Sequence, residues 1–430
     1  MKRDALDALI AWKKDVKRKP LIVHGARQVG KTWLLKEFGK QYFGKTIYIN
    51  FEDAPELQGI FRDYDTSRII RELQIYAQTQ IEASDTLIIF DEIQSVKRGL
   101  NSLKYFCEDA PQYAITAAES LLGMHLHAGE SFPVGKVNFL DLKPLSFFEF
   151  LRAVGKDILV DTLEKKEFEY LQFMHAKLVE LLRIYLFVGG MPEVVLKYSE
   201  TQNLQAVRNI QQEIIRAYRD DFSKHVPYEL VPRLQMVWNS MPTQLAKENK
   251  KFVYGVIREG GRSKDYELAI QWLCDCGLLL KCYRIEKPAL PLVGYQNLSI
   301  FKLFLVDVGL LSALSYLDAR TIIKGDSIFT EYKGALTEQF VMQELSAAKT
   351  NYIGYWTNDR STAEVDFVIQ QNADVCPIEV KAETNVRAKS FKFFCEKYQP
   401  QKAYRLSLLP FHKEDWMTNV PLYGAAVLPL

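Results

Sequence analysis

Cysteine is scarce in this chain, six residues in 430, and no two are spaced C-x-x-C or matched by histidines at a zinc-site interval. A disulfide framework and a structural zinc site are thereby excluded. The thiols at 107, 274, 276, 282, 376 and 395 read as reduced and mostly buried. Charge of one sign is also lacking: 55 Lys and Arg against 53 Asp and Glu leave a net charge of +2. No global field advertises nucleic acid, and any DNA contact has to come from local patches. Long apolar runs are absent, since nothing approaches the roughly 18 uninterrupted apolar residues of a membrane span. The opening MKRDALDALIAWKKDVKRK has no apolar signal-peptide core. A cytoplasmic protein with no membrane partner is expected.

What is present is ordinary folding material. Charged residues make up 25% and hydrophobic residues 48% of the chain, which argues against wholesale disorder. A length of 430 residues exceeds what one core usually supports, so several domains are expected.

Residues 20–38, PLIVHGARQVGKTWLLKEF, pass from an apolar run through a glycine-bounded loop into apolar residues at helical spacing. The loop Gly25-Ala26-Arg27-Gln28-Val29-Gly30-Lys31-Thr32 matches GxxxxGK[ST], whose backbone N–H groups wrap phosphates while the helix N-terminus favours negative charge. Lys31 would reach the β- and γ-phosphates of ATP and Thr32 would hold Mg²⁺. A tight turn alone would explain the two glycines but not Lys31 and Thr32 in that order. Residues 85–94, DTLIIFDEIQ, add a buried strand that ends in two carboxylates. Asp91 would bind Mg²⁺ through water, and Glu92 would orient or deprotonate the attacking water. KTIYINFEDA and QYAITAAES read as further strands, giving an α/β fold with a doubly wound P-loop sheet and ligands at the carboxyl ends of its strands.

Together with FPVGKVNFLDLKPLSFFEFL (132–151), VGGMPEVV (188–195) and YRDDFSKH (218–225), these motifs resemble a large bacterial group of AAA-type ATPases that carry a C-terminal domain of unknown function. The likeness spans nearly the whole chain and implies ATP binding and hydrolysis. One residue departs from the pattern. Glu119 stands in TAAESLLG where relatives tend to have a glycine or small polar residue, so it would either repel the nucleotide or point away from it. Thr116 and Ser120 are the candidates for sensing phosphate. Arg216 and Arg219 are candidates for an arginine finger, beside their reading as helix-surface arginines. Many AAA modules work as rings, but nothing in this sequence fixes an oligomer.

From about 165 to 225 the pattern is helical, ending one helix at Gly189-Gly190 before Pro192, and it resembles the helical lid of AAA modules. From 228 to 315, helices followed by two short strands suggest a winged helix. In SKDYELAIQWLCDCGLL, Ala269, Trp272, Leu273 and Cys276 share a face, leaving Arg262 and Lys264 exposed. This could be a recognition helix meeting DNA or a packing helix with a solvated basic end, and the sequence leaves both open.

In the tail, the helix YKGALTEQFVMQELSAA (332–348) carries Glu338, and STAEVDFVIQ (361–370) alternates like a strand. A QNAD turn then leads into VCPIEVKAE. Glu379 and Lys381, two apart on a strand, share a face. With Asp366 across the hairpin, Asp366 and Glu379 could chelate Mg²⁺ while Lys381 positions a water, and Glu338 could complete the metal shell. The order resembles the PD-(D/E)xK restriction-endonuclease-like fold, with Glu-Val-Asp in place of Pro-Asp. A solvated Lys–Asp cross-strand pair is the plainer alternative.

The expected organisation is therefore an AAA-type ATP-binding core at 1–160, a helical lid at 161–227, a winged-helix-like segment at 228–320 and a nuclease-like domain at 321–430. Two functions stand beside each other. One is a Mg²⁺-dependent ATPase acting as a switch or motor in a DNA-associated process, with a C-terminal nuclease. The other is a nucleotide-switched protein that binds a protein partner, with a catalytically silent tail.

Overall fold

Short apolar segments separated by helices form a parallel sheet, as the alternation of elements dictates. In the computed structural model, which describes residues 1–120, 132–247, 251–324, 330–348, 350–358, 362–382 and 389–430, these strands are Leu21–Gly25 (β1), Lys45–Asn50 (β2), Thr86–Asp91 (β3), Ala114–Ser120 (β4) and Asn138–Asp141 (β5). They pair in the order β2-β3-β4-β1-β5, all parallel. Every residue of β1 and of β3 is buried, the pattern of a strand covered on both faces. Ile22, Ile88, Phe90 and Ala117 join one core cluster with Ile69, Ile70 and Leu73 of the helix Thr66–Ala77 and Leu103 and Phe106 of the helix Gly99–Asp109. The helix Lys31–Tyr42 buries Leu34, Leu35 and Phe38 along the same strands. Because alternate strand residues point to opposite faces, this covers both sides of the sheet and leaves its carboxyl edge for ligands.

The chain divides into two compact units, one of Lys2–Lys143 with Asp275–Gly277, the other of Pro144–Cys274 and Leu278–Leu430. In the second, the helix His175–Val188 ends at Gly189, whose φ of 73° suits glycine. Gly190 then passes so close to Leu145 that a Cβ would lie 2.0 Å from its carbonyl oxygen. Pro192 opens the helix Pro192–Thr201 at its first position, where a missing N–H costs nothing. The buried Asp307 carboxylate fastens this corner, accepting from Gly190 N at 2.6 Å and from Leu310 N at 2.9 Å, the latter capping the helix Val308–Leu314. Burial pushes this carboxyl up to about 6 against those hydrogen bonds.

An eight-stranded mixed sheet completes this unit. Its strands are Leu279–Ile285 (β6), Gln296–Leu305 (β7), Tyr352–Thr357 (β8), Glu364–Gln371 (β9), Asp374–Val380 (β10), Tyr404–Ser407 (β11), His412–Lys413 (β12) and Thr418–Pro421 (β13), in the order β12-β13-β11-β10-β9-β8-β6-β7. The two strands expected to form the wing of a winged helix are thus continuous with the tail, β6 pairing in parallel with β8. Residues 228–320 and 321–430 share one sheet across the expected boundary. The expected tail hairpin is present: β9 and β10 are antiparallel and turn at Asn372, whose φ is 54°. In the helix Ser263–Asp275, Ala269, Trp272 and Leu273 are buried, and Trp272 meets Phe222 edge-on at 5.6 Å; Arg262 and Lys264 at its start are exposed.

Candidate functional site

The loop between β1 and the helix Lys31–Tyr42 has the shape its glycines require. At Gly25 a Cβ would lie 2.3 Å from the Leu142 carbonyl oxygen, and Gly30 takes a φ of 91° as it caps the helix. Arg3 braces the loop from outside, donating to Val29 O at 3.1 Å and to Lys143 O at 2.6 Å. Ala26 and Val29 are buried, while Gln28 at the tip is exposed with a φ of 65°. The Lys31 ammonium folds into the loop and donates to Gly25 O at 2.9 Å and Ala26 O at 3.0 Å. Burial lowers its pKa to about 8, against the pull of Glu92 and Asp91.

Thr32 Oγ1 donates to Asp91 Oδ2 at 2.7 Å, so the two expected Mg²⁺ groups already touch. Tyr48 on β2 donates to the same oxygen at 2.9 Å. Glu92 follows with a φ of 51°, a left-handed conformation that costs a residue with a side chain about 1–2 kcal/mol. Its carboxylate accepts from the Gln94 amide, and burial raises its pKa. Lys31, Thr32, Asp91 and Glu92 are thus gathered at one edge of the sheet, and the donor set of a hydroxyl and a carboxylate in contact suits Mg²⁺.

The end of β4 bears on the phosphate-sensing candidates and on the two readings of Glu119. Thr116 pairs with Leu21 at the start of β1 and donates to Ile88 O at 3.4 Å, so it lies within the sheet and away from its carboxyl edge. The Ser120 side chain lies outside the described residues. Glu119 does not point away from the site. It pairs with His24, one rung before the end of the β1–β4 ladder, and its side chain is 0% exposed. Of the finger candidates, Arg216 is exposed on the helix Leu204–His225 and Arg219 donates to Asn239 Oδ1 at 3.0 Å.

In the tail, the Asp366 carboxylate accepts from Val380 N at 2.7 Å across the hairpin, and Glu379 pairs with Lys381 at 2.5 Å. Burial, then Glu338 and Glu379, push the Asp366 carboxyl well above the usual range. Sequence reasoning missed the centre of this cluster. Lys302 on β7 is 0% exposed and pairs with Glu364 at 2.5 Å and Glu338 at 3.6 Å. Burial would strip its proton, but Glu364 and Glu338 outweigh burial and hold it charged. The signal was a single lysine inside the apolar run of FKLFLV, a residue type almost never buried unless paired. The expected metal shell of Asp366, Glu379 and Glu338 is not preformed: among the described residues no group of three His, Cys, Asp or Glu side chains is placed to hold an ion. Lysines interleave the carboxylates instead. No helix among the described residues is long and apolar enough to cross a membrane.

Comparison with known proteins gives three family matches: an AAA domain over residues 17–151, the domain of unknown function DUF8612 over 179–321, and the domain of unknown function DUF4143 over 333–422. No curated protein matches the chain. Among solved structures it is similar to the Walker-type ATPase PABY2304 of Pyrococcus abyssi, 13% identical over 73% of this chain and 95% of that one, with a TM-score of 0.44. It is also similar to Cdc6p from Pyrobaculum aerophilum, 12% identical over 75% of this chain and 92% of that one, with a TM-score of 0.25. Both lie too far in sequence and shape to carry an argument. The AAA match, laid over β1 to β5, makes residues 17–151 similar to a P-loop ATPase domain, and the tail is similar to a domain whose function is unknown.

Proposed function

We propose that this chain is a Mg²⁺-dependent ATPase. The observation that carries the reading is the contact of Thr32 with Asp91, one residue from Lys31 in the phosphate loop and one from Glu92. The backbone of residues 25–32 would cradle the phosphates of ATP, and Lys31 would turn from the loop carbonyls to the β- and γ-phosphates. Thr32 and Asp91 would hold Mg²⁺, which supplies charge neutralisation on the phosphates. Glu92 would accept hydrogen bonds from the attacking water and take its proton, a role its raised pKa favours. In calorimetric titration, Lys31→Ala should lose ATP binding, and Glu92→Gln should bind ATP yet lose turnover by about 10²-fold or more. Normal ATP binding by Lys31→Ala would overturn the reading.

For the remainder, the reading we favour is a nucleotide-switched protein that binds a partner through a catalytically silent tail. Lys302 pairs with Glu338 and Lys381 with Glu379, two of the three carboxylates of the expected metal shell, which supports this choice. Arg262 and Lys264 are the cations that would contact DNA if the partner is nucleic acid. Reproducible Mg²⁺-dependent cutting of labelled DNA by the purified protein, lost in Lys381→Ala while ATP turnover persists, would restore the nuclease reading.

A further inference from the structure

Glu119 is a carboxyl group that the chain buries beside Lys31 and Glu92 with no hydrogen bond among the described residues. Its side chain is 0% exposed, and among the described residues neither oxygen makes a hydrogen bond. His24 Nδ1 lies 3.9 Å from Oε2, and among the described residues it too has no hydrogen-bond partner. The His24 ring is fixed by stacking on Phe139, with centroids 5.0 Å apart and planes 15° from parallel. Buried polar groups are paired in the great majority of cases, so two facing orphans at a ligand-binding edge mark a place where something else completes the bonding.

We propose that Glu119, protonated, donates its O–H to the terminal phosphate of the nucleotide while its other oxygen accepts from His24, so that ATP binding takes up a proton at Glu119. An ionised carboxylate here would repel the phosphate, whereas the protonated acid has an O–H to give and an acceptor oxygen left for His24. The charged groups around it favour the neutral form on balance. They are His24 on β1, Lys31 at the start of its helix and Glu92 after β3; Asp141 on β5 acts on His24, and Arg27 and Asp91 act on Lys31. Burial, then the Glu92 charge, push the Glu119 carboxyl up to about 8 while Lys31 pulls it down. A bound triphosphate, being anionic, would raise it further. Burial lowers the pKa of His24, which keeps the ring neutral, so that its Nδ1–H can donate to the Glu119 oxygen that does not carry the proton.

The inference rests on the nucleotide reading, and one experiment separates the two. ATP binding to the full chain is titrated by calorimetry at about pH 8.5 in two buffers of different ionisation enthalpy, which reports protons taken up per nucleotide. Wild type should take up more protons than Glu119→Gln, the difference approaching one. Lys31 contributes to both proteins, so the difference isolates Glu119. Glu119→Gln, a neutral donor of the same shape, should keep ATP affinity near the wild-type value at about pH 6.5, whereas Glu119→Ala should weaken it roughly tenfold. Equal proton uptake by wild type and Glu119→Gln would overturn this inference alone. Absence of ATP binding by wild type would overturn the nucleotide reading and this inference with it.

Discussion

Tyr48 donates a 2.9 Å hydrogen bond to the same Asp91 oxygen that Thr32 contacts at 2.7 Å. Asp91 is thereby oriented by two hydroxyls from different elements, one on β2 and one on the helix that follows the phosphate loop. Hydrogen bonds to a charged group are worth about 1.5–3 kcal/mol. Tyr48→Phe should therefore raise the Mg²⁺ concentration for half-maximal ATP turnover by roughly tenfold or more while leaving thermal stability close to wild type. A Mg²⁺ titration of turnover checks this, and an unchanged midpoint would remove Tyr48 from the metal's surroundings.

Lys302 is the cation of the tail cluster, and its removal takes the counter-charge from Glu364 and Glu338. Breaking a buried pair from one side costs about 3–5 kcal/mol. Lys302→Met should lose stability on that scale in urea unfolding near neutral pH. Protonation relieves carboxylates left without a cation, so the deficit should shrink at about pH 5. The double variant Lys302→Met/Glu364→Gln should recover part of the loss.

The Glu119 carboxyl is raised from 4.5 to about 8 in the folded chain. A carboxyl raised on folding contributes stability at low pH, and that contribution is lost as pH climbs from the unfolded value through the folded one. The change runs at about 1.4 kcal/mol per pH unit across that window. Compared with wild type, nucleotide-free Glu119→Gln should gain in relative stability between about pH 5 and pH 8. Parallel melting curves over that range would show that Glu119 titrates normally.

Two glycines offer a paired test of the fold. Gly190→Ala would place a Cβ 2.0 Å from the Leu145 carbonyl oxygen, and it should destabilise by about 1–3 kcal/mol or more. Gly255→Ala, in the short helix Tyr254–Ile257 with nothing within 4 Å of the added carbon, should be neutral or stabilising. Thermal unfolding of the two variants distinguishes them.

The gathering of Lys31, Thr32, Asp91 and Glu92 at one edge of the sheet was legible because the first two are sequence neighbours in a glycine-bounded loop, and Asp91 and Glu92 close a strand that apolar patterning reveals. The tail hairpin was legible for the same local reason. Tyr48 was not, since its contact with Asp91 depends on β2 lying beside β3, and strand order leaves no trace in a single sequence. Glu119 was noticed as a departure, but its inward direction shows only in the fold, where its buried carboxylate faces the His24 ring. Lys302 reaches Glu364 from 62 residues away. Reading helices and two strands as a winged helix did not anticipate that β6 would pair with β8 of the tail while β7 stays at the sheet's edge.

That pairing decides how the protein can be taken apart. A cut after residue 320 would separate β6 from β8 and leave each fragment with a bare row of N–H and C=O groups, the kind of edge that recruits any strand it meets. Fragments 144–320 and 321–430 should each be insoluble or aggregated when made alone, yet reassemble when produced together. A gene split there would behave as a complementation pair.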